Sequence, residues 1–174
     1  MTLTQVQQAV VRYLSDDPFF RGTGAEKEIP VIAGNDKSLE SRVKTGMGRF
    51  GICVIVYPLG GDFGAHSAST PYLSPGRYNC RVRENITLNR GSGGSGQPAD
   101  YVAEVCALLL QHHKPTAEDG KALGGGGIVL KSIAADEDEP GISAWNLVWE
   151  YAAGVSHDPV RLNFASGTAS PPPP

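Results

Sequence analysis

The sequence predicts an α+β domain: a mainly antiparallel sheet packed against two helices, joined by flexible glycine-rich loops. Three observations lead there. The apolar pattern runs in the order helix, strands, helix, strands. The last two strands are joined by a loop short enough to favour antiparallel pairing. No repeated strand–helix–strand pattern appears that would demand a parallel sheet. With 174 residues, 40% of them apolar and 19% charged, the chain can bury a sizeable core. One domain is expected over residues 1–166, followed by a disordered Pro-rich tail at 167–174.

Residues 4–14 are the first helix. Val6, Val10, Tyr13 and Leu14 share one face, and Thr4 with Gln7 fits a capping box. Asp16, Asp17 and Pro18 close it, with Phe19 and Phe20 tucked under the core. Residues 28–33 form a short strand that Pro30 marks as an edge or an end. Ser38 caps a brief helix through Val43, stopped by Gly46 and Gly48. Residues 50–57, FGICVIVY, are an almost continuous apolar run and hence a buried strand. Residues 60–76 then form a polar connection.

Residues 77–88 alternate. Tyr78, Cys80, Val82, Ile86 and Leu88 fall on one face, and Arg77, Asn79, Arg81, Arg83, Asn85 and Thr87 on the other. Glu84 breaks the apolar face, which predicts a bulge or an edge. After GSGGSG at 91–96, a helix from Pro98 or Asp100 to about His112 carries a broad apolar stripe through Tyr101, Val102, Val105, Cys106, Leu108, Leu109 and Leu110. Residues 127–134 and 142–152 are two more strands in a hairpin. Trp145, Leu147, Trp149 and Tyr151 lie on one face, opposite Asn146, Val148 and Glu150.

The polar residues form no recognisable catalytic or ligand motif. GGGG at 124–127 precedes a strand, and GSGGSG lacks the Gly-Lys-Ser/Thr ending of a phosphate cradle, so loop flexibility is the better account of both. His112 and His113 project about 100° apart on a helix, which is poor for chelating one ion. His66 and His157 stand alone in the sequence. Neither Ser92 nor Ser95 fits a nucleophile elbow, Asp62 has no carboxylate partner, and Glu118-Asp119 sits in a loop. Cys53, Cys80 and Cys106 read as buried thiols of a reducing compartment.

No catalytic residue, metal or cofactor is therefore expected. The net charge of −3 gives no footprint for specific nucleic-acid binding. No segment has the length of a membrane span, and the start lacks a signal-peptide pattern, so synthesis in the cytoplasm is expected.

The charged residues point instead to contacts between proteins. Arg77, Arg81 and Arg83 would line one strand face, with Arg90 just past its end. The acidic run Asp136, Glu137, Asp138 and Glu139 occupies a hairpin turn. Their ordinary reading is solubility and edge protection; the functional reading is a rim that pairs with the acidic run of a neighbouring subunit.

Four segments carry a resemblance: a leading helix ending at two aspartates, a short helix before the buried strand GICVIVYPLGG, the phrase Glu84, Asn85, Asn89, Arg90, and the leucine-rich helix VAEVCALLLQHH before a W-x-L-x-W strand. This layout, over residues 4–155, resembles the tail-completion proteins of tailed bacteriophages, the tail-terminator and minor tail components. The resemblance implies a non-enzymatic virion protein, made in the bacterial host, that forms a homo-oligomeric ring, often a hexamer. It would contact the tail-tube and neck proteins through loops 60–76 and 90–98. The polyproline end is not part of that layout. Two other readings are a bacterial small-ligand or protein binding module, and a hydrolase dependent on His66 or His157.

Overall fold

The computed structural model describes residues 3–22, 28–63, 73–124, 126–137 and 140–151. Five strands form one mixed sheet in the order β1-β2-β3-β5-β4, with β1 Val31–Ala33, β2 Ile52–Phe63, β3 Leu73–Asn85, β4 Val129–Glu137 and β5 Ile142–Tyr151. The helices are α1 Leu3–Asp16, α2 Pro18–Arg21, α3 Leu39–Arg49, α4 Ile86–Asn89 and α5 Ala99–Leu110. The α+β class holds, and two details of the expected sheet are corrected.

First, the sheet is not purely antiparallel. β1 pairs parallel to β2, Ile32 opposite Ile55, while the other three pairings are antiparallel. A parallel pair needs a crossover, and α3 supplies it. Secondly, helices lie on both faces. α1 and α5 cover one face, where Val6, Val10, Leu14, Val102, Cys106 and Leu110 meet Val54, Val56, Tyr78, Cys80, Leu147 and Trp149. On the other face, Leu39, Val43 and Met47 of α3 pack on Ile32, Cys53 and Ile55.

Local departures have local causes. α3 runs through Gly46 and Gly48 to Arg49. A Cβ at Gly46 would meet Cys53 Cβ at 3.3 Å, so a glycine there lets the helix lie close to the sheet and offsets its poor helix propensity. Ser38 caps nothing with its side chain; Asp36 accepts from the Ser38 amide at 2.8 Å and pairs with Arg42. Gln7 forms no capping box either. It is buried and donates Nε2 to the Val56 carbonyl at 2.6 Å, tying α1 to the sheet.

The supposed connection at 60–76 is partly strand. β2 and β3 continue as a hairpin to Phe63 and Leu73, with register shifts beside Gly60 and before Phe63. Residues 64–72 and 152–174, including His66, His157 and the Pro-rich end, lie outside the described residues. Among the described residues, no helix is long and apolar enough to cross a membrane.

Candidate interaction face

The strand expected to continue to Leu88 ends at Asn85, and the reason is visible. Asn85 caps α4, accepting from the Leu88 amide at 3.1 Å, so Ile86 and Leu88 leave the sheet as a helical turn. Glu84 makes no bulge: it stays in register opposite Ile52 and Ser143. Its side chain is 1% exposed and its carboxylate is surrounded by donors. Asn89 Nδ2 lies at 2.8 Å and Arg90 Nε at 3.4 Å from one oxygen, and the Ala99 amide lies at 2.9 Å from the other. The carboxylate thus satisfies an otherwise orphaned donor at the N-terminus of α5.

Asn89 is fully buried and completes the knot. Its Oδ1 accepts from Ser95 Oγ at 2.7 Å and from the Gly96 amide at 3.2 Å, and its Nδ2 also donates to the Gln97 carbonyl at 2.7 Å. A Cβ at Gly94 would overlap the Asn89 backbone. Gly94 therefore serves close approach to Asn89, and the phrase Glu84, Asn85, Asn89, Arg90 is a structural clasp between β3 and α5. Arg90 belongs to this clasp, apart from the other three arginines.

Arg77, Arg81 and Arg83 do share a face, the one opposite α1 and α5. Over β3, β5 and β4 that face carries a lattice of polar side chains. Asn79 Nδ2 donates to Tyr57 Oη and to Asn146 Oδ1, both at 2.8 Å. Asn146 Nδ2 donates to Asp136 Oδ2 at 3.0 Å, and Arg81 pairs with the same oxygen at 2.8 Å. One strand-length away, Glu150 accepts from Lys131 Nζ at 2.9 Å and Arg77 Nε at 3.0 Å. The hydrogen bond from Lys131 leads in holding the Glu150 carboxyl below its ordinary value, with Arg77 adding to it. Half-exposed pairs of this kind contribute at most about 1 kcal/mol each. They fix side-chain direction more than they stabilise the fold.

Of the expected acidic partners, Asp136 pairs within its own chain; the side chain of Glu137, and Asp138 and Glu139, lie outside the described residues. Among the described side chains of this face, the basic Arg77, Arg81, Arg83 and Lys131 outnumber the acidic Asp136 and Glu150, on a molecule of net charge −3. At its β2 end it runs into a groove of about 750 Å³ between α3 and the sheet, walled by Leu39, Val43, Met47, Ile55 and Leu88, with Glu40, Lys44 and Arg83 as its charged residues.

The remaining candidates do not converge. Burial pushes the thiols of Cys53 and Cys80 up to about 12 and raises Cys106, so all three stay protonated and unreactive at neutral pH. Cys80 Sγ accepts from Trp149 Nε1 at 3.3 Å, a contact of packing. His113 stacks on Tyr13 with ring centroids 3.6 Å apart, and burial lowers its pKa. His112 lies just past the C-cap of α5 in a left-handed conformation, φ 65°. Glu118 pairs with Arg12 and Asp119 with Lys121, both on the surface. Among the described residues, no three His, Cys, Asp or Glu side chains gather as metal ligands.

The clasp and the lattice were both missed at the level of sequence. An Asn followed by three residues and a second Asn after a strand was the available signal for the first. The second had only the alternation of Asn79, Arg81 and Asn146, Val148, Glu150. No known protein-family model matches the sequence and no curated protein is significantly similar to it, so it is the geometry of this basic face and its groove that bears on function.

Proposed function

We propose that this protein is a structural subunit that works by assembling with copies of itself and with other proteins, as a ring component of a phage tail near the head–tail junction. The observation that carries the assembly reading is the open face of β3, β5 and β4. Its polar side chains are pre-oriented by each other across four strands, and among its described charged side chains the basic ones outnumber the acidic, the reverse of the whole molecule. Such a face sets the orientation and register of a partner. The placing in a phage tail rests on the layout described above, from the leading helix to the W-x-L-x-W strand, now β5.

A small-ligand binding module is the second reading, and the apolar groove beneath α3 favours it. Native mass spectrometry separates the two. Assembly predicts a closed oligomer from the chain alone or with phage tail-tube protein. A monomer under both conditions that retains a small molecule would replace the first reading with the second.

A further inference from the structure

We infer that the groove between α3 and the sheet receives the outer ridge of α5 from a second copy of this chain, in a head-to-tail contact. This rests on the self-assembly reading above and names the two surfaces that meet. The ridge is the less buried half of the α5 stripe, in which Val105 packs partly on the core and Tyr101 sets its ring edge-on to Phe19. Val102, Ala103, Cys106 and Leu110 are buried, while Leu108 is 79% exposed and Tyr101 47% exposed, with Val105 half-buried between them. Spaced at i, i+4 and i+7, these three form one apolar row on the solvent side. Asp100 and Glu104, both exposed, flank it with negative charge.

The groove is its counterpart in shape and sign. Its walls, Leu39, Val43, Met47 and Leu88, are apolar, and Leu88 is 45% exposed. Of its charged residues Lys44 and Arg83 are positive and Glu40 is negative, and the arginine face of the sheet continues from it. An acidic-flanked apolar ridge therefore meets an apolar groove whose charged residues are basic by two to one. The two lie on opposite faces of the same sheet: α5 packs on the face of Cys80 and Trp149, α3 on the face of Cys53 and Ile55. A copy cannot satisfy its own groove, and each docked copy presents a further groove. That makes the contact heterologous, the kind that propagates and closes into a ring where the rotation permits.

The test uses the full chain and exposed positions. Leu108→Asp and Leu88→Asp should each abolish the wild-type oligomer while leaving the melting temperature within a few degrees of wild type. Mixed together, they should stop at a one-to-one complex, because one intact ridge and one intact groove remain. Glu104→Lys and Lys44→Glu should each weaken assembly, and the double variant should restore it. Introducing Leu108→Cys with Met47→Cys should give a covalent ladder on oxidation, where either alone does not. An oligomer indifferent to all of these overturns the inference while self-assembly stands. A wild-type chain that stays monomeric both alone and with phage tail-tube protein overturns both, and a small molecule recovered from the groove overturns the inference in favour of the ligand reading.

Discussion

The two faces of one sheet are built from the same strands, residue by residue in alternation, and they do opposite things. On the covered face Trp149 and Tyr78 stack at 4.3 Å under α5, and Cys80 touches the indole. On the open face their neighbours Asn79 and Arg81 belong to a polar lattice with Asn146 and Asp136. Burial of large apolar side chains stabilises by kilocalories per residue, whereas screened ion pairs contribute tenths. The covered face therefore holds the molecule together, and the open face is left to choose what it meets.

That contrast can be broken most severely through chemistry. All three cysteines are buried, and their raised pKa values keep them as thiols. Thiol-reactive reagents should label them only through unfolding, at least about a thousandfold slower in native protein than in denatured protein. Fast labelling of native Cys53, beneath α3, would show that the α3 side opens locally.

Next comes Trp149→Ala, which should cost about 3–5 kcal/mol and lower soluble yield. Trp145, only partly buried on the same face, should cost less when truncated. Equal losses in chemical denaturation would blur the distinction between core and rim. Asn89→Ala should cost about 3 kcal/mol, because it leaves the buried Glu84 carboxylate short of a donor. An unchanged midpoint would remove the clasp from the account of stability.

The pH response comes from the end of α5. Burial lowers the pKa of His113 below its ordinary 6.5, so the unfolded chain takes up a proton more readily than the folded one. Stability should fall as pH drops through about 6.5, and His113→Gln should flatten that part of the curve. Glu150 acts lower: its depressed pKa means that its contribution is present above the ordinary carboxylate value and lost as pH falls through the folded one. Smallest of all, Arg77→Ala should change the unfolding free energy by less than about 1 kcal/mol, measured by urea titration. A larger loss would make the open face part of the scaffold.

The covered face was legible in the sequence because alternation and helical periodicity report burial directly. Tyr78, Cys80, Val82, Leu147 and Trp149 were placed by that rule alone, as were Val6, Val10 and Leu14. Glu84 was misread as a break because a buried carboxylate looks like an error in the pattern until its donors are known, and these come from 5, 6 and 15 residues further on. The parallel β1 was missed since a single crossover leaves no repeated pattern. The groove under α3 was missed because Gly46 and Gly48 read as a stop, although tertiary contact with Cys53 carries the helix past them. Arg77, Arg81 and Arg83 were correctly put on one face, but sequence separation hid their links to Glu150 and Asp136.

The strand order holds one more consequence. β5, last of the described elements in the chain, sits inside the sheet between β3 and β4. As the polypeptide emerges from the ribosome, the inner edges of β3 and β4 wait with unpaired backbone groups until residues 142–151 arrive. Completion of the sheet is thus a single event that waits for β5, and the nascent chain is most vulnerable to aggregation or to rescue by chaperones just before it.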